Sequence, residues 1–397
     1  GVYNWNGDIY SVFGGTLRRN STTIGSVDAT GGVYSFSSCL GTTPKLFLMN
    51  GVKAYIYAPV GGLVTVTDVD YPASLVRGAV YLDGYTSVMD SGATIYSSAL
   101  NDPTDWDPLD FIKAQIEPDR GVALAKQLVY IIALKEWTCE AFYDAANTEG
   151  SPFGPVQGSK VNVGCRAAGS VRDLYGMLIW VSQTRNSSVA VHAMDGMRAS
   201  SISTPAIERL LQRANFATTW SWSARIGGHR FYAVTLKNSN LTLVYDFTSK
   251  LWSQWTDTNG NYLPYVDATN TPNQQILLQH ETDGKIYEMD LGQVSDNGSP
   301  ITLDLYTPIF DGGSRTRKVV IRLDVVADQQ SGSILQIRRS DDDFQTWSAF
   351  RNVDLSQSRP NYLHDGTFRK RVYHARHSSN TPLRLHSFDL DALLGEE

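Results

Sequence analysis

The sequence predicts an all-β chain: an irregular β-propeller of five or six blades over residues 1–298, then a β-sandwich-like domain over 299–397. Three observations predict it. Hydrophobic residues make up 42% of the chain and charged residues 19%, apolar enough for a packed core and too weakly charged for disorder. Aromatic and β-branched residues alternate with polar ones over short runs, and 33 glycines with many Asn, Asp and Ser residues mark frequent turns. The runs pair into hairpins that recur at roughly 40 to 60 residues, the range of propeller blades.

The hairpins follow in order. Residues 2–12 alternate around Asn6-Gly7, and residues 46–57 alternate around Asn50-Gly51, a turn whose twist matches that of the flanking strands. The stretch 101–128 breaks the pattern with Pro103, Trp106, Pro108 and Pro118, and reads as an inserted connection with at most a short helix. A second insertion is expected near 145–160. Residues 176–196 repeat the hairpin plan. Thr204, Pro205 and Glu208 then form a helix start over 203–211, with Thr204 as the cap. Residues 229–255 give three successive strands, the last carrying Trp252 and Trp255, and residues 275–290 give a further pair. After Gly298-Ser299-Pro300 the strands lengthen, at 301–306, 318–326, 334–339, 370–376 and 383–388, which predicts a separate sandwich. An irregular β-sandwich in place of the propeller is the competing expectation.

The formal net charge of −6 lacks the basic excess of a protein that grips nucleic acid by its phosphates. A mild acidic excess suits a surface past which DNA slides. Cys39, Cys139 and Cys165 are odd in number and widely separated, so buried thiols are expected rather than a disulfide framework. No run approaches the ~20 apolar residues of a membrane span. The chain opens mid-pattern in a strand-like segment, so a lead-in upstream is expected.

Four stretches hold residue types that could carry chemistry. Ser340-Asp341-Asp342-Asp343-Phe344-Gln345-Thr346-Trp347 nearly matches the Asp box of sialidase-like propellers, with Phe344 in place of its Gly. Such a box is a turn whose Asp bonds its own backbone, so Ser340, Asp342, Thr346 and Trp347 are expected to be structural. Asp102, Asp105, Asp107 and Asp110 lack the Gly and terminal Glu of a calcium loop and read as Asx-turns, with a cation site as the alternative. His374 and His377 fall on opposite faces of a strand, which opposes shared metal ligation and leaves surface or partner contacts. The basic runs 315–318, 338–339 and 369–371 read as a solvated or subunit-contacting face, or a DNA contact. No Walker A loop, HExxH or GxSxG occurs, and no carboxylate pair is singled out for glycoside hydrolysis. No catalytic residue, cofactor or metal site is expected.

An ordered series of short pieces resembles the packaged-DNA stabilisation (tail hub, or nozzle) proteins of short-tailed bacteriophages. It begins with Gly7-Asp8-Ile9-Tyr10-Ser11-Val12-Phe13-Gly14-Gly15-Thr16-Leu17. Next come the connection residues Asn101, Asp102, Pro103, Trp106, Asp107 and Phe111, then Pro118 and Asp119. Glu140, Phe142-Tyr143, Ser151-Pro152-Phe153, Gly164 to Ala168, Gly169-Ser170-Val171 and Leu178-Ile179-Trp180 follow, and the run closes on residues 202–208. The resemblance implies a non-enzymatic virion protein, made in the host cytoplasm and built into the tail. It implies a homo-oligomer, a hexameric ring below portal and adaptor, that closes the filled head and touches DNA transiently at ejection. The alternative is a carbohydrate-active or glycan-binding, sialidase-like propeller, suggested by the Asp-box-like turn and the 9 Trp and 20 Tyr residues.

Overall fold

The computed structural model describes residues 1–41, 43–186, 188–290 and 292–395. Thr42, Ser187 and Leu291, inside the expected propeller, and Glu396 and Glu397, at the end of the expected sandwich, lie outside the described residues. The chain divides into two compact units, Gly1–Thr256 with Asn261–Asp290, and Asp257–Gly260 with Leu291–Glu397. The expected boundary at 298/299 falls inside the second unit, at the small hairpin of Ser295–Asp296 and Ser299–Pro300.

The first unit is a succession of seven antiparallel sheets, each a meander in chain order. Blade 1 holds Val2–Trp5, Asp8–Phe13, Thr16–Arg19 and Thr22–Ser26; blade 2 holds Ser35–Cys39, Lys45–Met49, Ala54–Ala58 and Gly62–Thr65. Blade 3 is Val80–Leu82, Tyr85–Met89, Thr94–Ala99 and Asp102–Lys113, and blade 4 is Gly121–Gln127, Tyr130–Lys135, Cys139–Asp144 and Phe153–Pro155. In blade 5 the two short strands Gly164–Cys165 and Arg172–Leu174 share one edge of Met177–Gln183, and Val189–Asp195 and Arg198–Ser201 follow. Blade 6 is Thr219–Ile226, His229–Leu236, Leu241–Asp246 and Leu251–Gln254; blade 7 has three strands, Tyr265–Asn270, Ile276–His280 and Ile286–Met289.

Seven sheets correct the expectation of five or six blades. The overlooked ones are blades 3 and 4, and the reason is physical. Blade 3 starts with a three-residue strand and buries Thr86, Ser87, Ser97 and Ser98, which erase the apolar alternation. Most of the stretch read as an inserted connection is occupied by the first strand of blade 4, Gly121–Gln127, together with the outer strand of blade 3, Asp102–Lys113. Pro103 and Pro108 are tolerated there because an edge strand has a free side and this one carries register shifts. The second expected insertion likewise contains a strand, Phe153–Pro155, the outer edge of blade 4. The helix forms at Pro205–Gln212, with the Thr204 side chain accepting from the Ile207 amide and Ile207 and Leu211 buried.

Apolar clusters fill the gaps between neighbouring blades. Trp5, Leu17, Leu46 and Tyr57 join blades 1 and 2, while Phe47, Ile56, Val88 and Trp106 join 2 and 3. Met89, Ile95, Ile131 and Phe142 join 3 and 4; Leu134, Cys139, Cys165 and Trp180 join 4 and 5. Val181, Val191, Tyr232 and Leu243 join 5 and 6, with the helix on top, and Trp222, Val244, Tyr265 and Leu278 join 6 and 7. Each such fully buried side chain contributes about 1.5–3 kcal/mol. The seam between blades 7 and 1 is different. Directed hydrogen bonds cross it, and the Phe13 ring lies against Gly284. Asp267 accepts the Val2 amide at 3.0 Å, Thr269 accepts the Asn4 amide at 3.0 Å, Asn4 donates to the Asn270 carbonyl at 2.8 Å, and buried Gln279 donates to the Val12 carbonyl at 3.1 Å. The ring therefore closes through side chains, with no strand exchanged.

The second unit is a two-sheet sandwich. One sheet has the order Leu303–Tyr306, Val372–His377, Ile334–Ser340, Arg351–Asp354; the other is built on Lys318–Ala327, flanked by Leu385–Leu394 and by Asn361–Leu363 and Thr367–Phe368. Leu323 and Val325 of one sheet face Leu335, Ile337, Val353 and Ala375 of the other.

The seam yields a prediction. Asp267→Ala removes the acceptor of Val2 and leaves Arg172 without its carboxylate, so it should cost roughly 3–5 kcal/mol in denaturant unfolding of the full chain. A change under 1 kcal/mol would mean that the seam is held by something else.

Candidate functional site

A cavity of about 760 Å³ lies in the first unit where the first strands of its blades converge, lined by residues from blades 1 to 7, among them Arg77, Lys126, Arg172, Asp173 and Asp267. The backbones approach closely there. A Cβ at Gly78 (φ +109°) would sit 1.9 Å from the Leu124 carbonyl oxygen, and one at Gly169 would sit 1.8 Å from that of Thr219. Only glycine lets the neighbouring inner strands come this near.

Charge at the axis is used to join blades. Arg172 donates to the Ser221 carbonyl at 2.6 Å and pairs with Asp267 at 2.7 Å, so one side chain of blade 5 reaches blades 6 and 7. Asp267 also takes the Val2 amide, which extends the chain of contacts to blade 1. Arg77 enters the same cavity; burial and the nearby Arg172 push its pKa down, and Asp267 opposes them. Asp173 accepts the Gly176 amide at 3.0 Å, and burial raises its carboxyl above the usual range. Both axial carboxylates thus hold backbone N–H groups.

The connection residues singled out by the sequence belong to the same scaffold logic. Asn101 makes the turn before the outer strand of blade 3 in a left-handed conformation (φ 59°), with its amide bonded to the Gly84 carbonyl. Asp102 accepts from the Thr104 amide and hydroxyl and pairs with Lys45 of blade 2 at 3.0 Å; Asp107 accepts the Leu109 amide at 2.8 Å. These are the expected Asx-turns. Trp106 is buried, donates to the Pro103 carbonyl at 3.0 Å and meets Tyr71 edge-on, whereas Phe111 is exposed beside Tyr96. Exposed Pro118 precedes Asp119, and here the sequence concealed a centre. The ammonium of Lys135, fully buried, lies 2.8 Å from Asp119 and 2.5 Å from Glu140, and donates to the Ala114 and Glu117 carbonyls. Asp119 also accepts the Trp137 and Thr138 amides. Lys135 and Glu140 sit within apolar runs, so periodicity alone makes each an anomaly; the pair across the turn is the signal.

In the second unit the Asp-box-like hairpin folds as such a box does. Asp342 accepts from the Ser340 hydroxyl at 2.8 Å and from the Thr346 amide at 2.8 Å and hydroxyl at 2.5 Å, and Trp347 packs against Tyr306. Asp341 pairs with Arg371 at 2.7 Å, and Asp343 pairs with Lys370. Phe344 takes φ +70°, a region that costs an ordinary residue about 1–2 kcal/mol. The basic runs are exposed in part, at Arg315, Arg317, Arg369 and Lys370. Arg371 is buried between Asp341 and Asp365, Arg339 also pairs with Asp365, and Lys318 is buried with its ammonium on three carbonyls. The surface reading of His374 and His377 is corrected as well, since both are buried, His374 against Asp304 and His377 on the Ser333 hydroxyl. The three cysteines are free and buried.

A family model described as "Bacteriophage P22 Gp10, beta-propeller" matches residues 1–293, the propeller unit to its end. No curated protein matches the chain. Solved structures share a loose likeness with it. The extracellular domain of the putative hybrid two component system BT4673 from B. thetaiotaomicron aligns at TM-score 0.47 and 9% identity, over 80% of this chain and 42% of that one. BamB from Moraxella catarrhalis aligns at 0.41 and 10%, over 72% and 92%, and the N-terminal domain of Nup159 at 0.40 and 8%, over 70% and 85%.

Two outcomes are expected of these centres. Asp119→Ala should destabilise the chain by roughly 3–5 kcal/mol in urea unfolding, because it strips a fully buried ammonium of one partner; an effect near zero would contradict the triad. Asp342 is held at about 2 by the Thr346 hydroxyl and amide and by Ser340. Asp246 also sits at about 2, where burial's upward push is outweighed by Ser249 and His229. Folded values below the unfolded one of about 3.9 mean stability that is complete above roughly pH 4 and lost as pH falls towards 2. Thermal melts between pH 7 and pH 2 should show that loss, and Asp342→Asn should reduce it.

Proposed function

This chain belongs to the phage-stabilisation family described for bacteriophage P22 Gp10, a family of phage structural proteins, and from that premise we propose that it is a wall subunit of a tail hub. In this reading it closes the DNA-filled head, stabilises the packaged genome and forms part of the conduit for ejection. The observation that carries the proposal is the extent of the family match, which takes in all seven blades and stops where the propeller unit stops.

The physics of the unit supports a building material. The inner strands lie so close at Gly78 and Gly169 that no side chain fits between them, which suits a rigid wall, and in this reading the conduit runs between subunits. Six copies arranged head to tail around a closed rotation give such a tube. Exposed apolar side chains are available for those contacts, including Leu109 and Phe111 on the outer strand of blade 3. The net charge of −6 per chain leaves a wall that repels phosphate and lets DNA move. Portal and adaptor on one side and further tail proteins on the other are the partners this role requires, in the virion tail. The sialidase-like alternative asks for free carboxylates, and the axial ones are engaged with Arg172, Val2 and Gly176.

Negative-stain microscopy of the purified chain, alone and mixed with portal, should show six-fold rings that stack on the portal. A persistent monomer that cleaves glycans would overturn the proposal.

A further inference from the structure

The outward face of one sheet of the second unit carries chemistry that the scaffold does not use. Alternation sends Leu335, Ile337, Tyr373 and Ala375 into the core and turns Gln336, Arg338, His374 and Arg376 the other way. His374 organises this face. Tyr306 stacks on its ring at 4.1 Å, and Trp347 and Phe350 meet it edge-on. Arg338 donates through Nε to His374 Nδ1 at 2.8 Å, so the ring proton sits on Nε2 and is donated to Asp304 at 2.5 Å.

Arg338 is left over. Arg376 pairs with Asp304 at 2.8 Å, and Arg339 and Arg371 have their own carboxylates, whereas Arg338 has no carboxylate partner among the described residues. Its guanidinium is spread between Trp347 (4.8 Å) and Phe350 (4.5 Å), which fixes the plane of its remaining N–H groups. Around it stand two exposed rings, Tyr306 (49% exposed) and Phe344 (44%). Tyr306 stacks on His374, meets Trp347 edge-on and keeps about half of its surface exposed. Phe344 is held in its left-handed conformation at the position where the box has glycine, a strained placement of a ring that the core does not need. The amides of Gln336 and Asn352 meet across neighbouring strands at 3.3 Å, close to the surface.

We propose that this face binds a saccharide bearing an acidic group, carboxylate or phosphate. The C–H face of the sugar lies on Tyr306 and Phe344, the anion takes the fork of Arg338, and the Gln336–Asn352 amides meet ring hydroxyls. The guanidinium, which has no carboxylate partner among the described residues, is what selects an acidic sugar over a neutral one. The site lies beyond residue 293, outside the family match, and stands apart from the hub reading.

Saturation-transfer NMR on the full chain tests it, with N-acetylneuraminic acid as the carboxylate probe, glucose 6-phosphate as the phosphate probe and glucose as the neutral control. Transfer to at least one acidic sugar, at least tenfold stronger than to glucose, is expected. Phe344→Gly relieves backbone strain, so it should keep the melting temperature while weakening transfer severalfold; Arg338→Gln should abolish the preference for the acidic probes. Absence of transfer to both acidic sugars, equal response to glucose, or unchanged transfer in Phe344→Gly would overturn the site. So would self-association that buries Tyr306 and Phe344, which would make a second copy the occupant.

Discussion

The first unit depends on one carboxylate. Six of its seven blade junctions are filled with apolar side chains, which are non-directional and tolerant. The seventh has to bring together strands more than 260 residues apart in sequence, and it does so with directed hydrogen bonds to Asp267, Thr269, Asn270 and Gln279. Closing so long a loop carries a large entropic cost, and polar contacts specify register where apolar ones would slip. Asp267 is the centre of that seam because it also anchors Arg172, whose reach ties blade 5 to blades 6 and 7. A ring closed this way has no exchanged strand, so its last blade keeps three strands while most others have four.

How much of this was legible depended on whether a residue's partner was local. Hairpins at 2–12, 46–57 and 275–290 announced themselves through alternation and Asn-Gly or Asp-Gly turns, because turn chemistry and pleat act over a few residues. The helix start at Thr204-Pro205 was legible for the same reason. Blades 3 and 4 were hidden by buried serines and threonines paired with one another, such as Ser87 with Ser97, and by prolines that only an edge strand accepts. The Asx-turns and the Asp-box-like hairpin were readable, since each side chain bonds its own backbone. Arg172, Asp267 and Lys135 were not, since their partners lie in other blades or across a turn, and sequence spacing does not encode that distance.

A few charges in each unit are buried and paired. Lys135, Arg371 and Lys318 are buried with their donors satisfied, while Arg315, Arg317, Arg369 and Lys370 of the basic runs are exposed. On the outward face of the sandwich, Arg338 is held between aromatic rings with no carboxylate partner among the described residues. A propeller closed by directed hydrogen bonds, and a sandwich whose outward face carries Arg338 without a carboxylate partner among the described residues, are separate features of one chain.

Hydrogen exchange across the seam tests the central claim most directly. If the ring is shut by side-chain acceptors, the amides of Val2 and Asn4 should be protected to the same degree as those of Tyr265–Asn270, and all should open in one cooperative event. Fast exchange of Val2 and Asn4 while the strands of blade 7 remain protected would show an open ring and contradict the account.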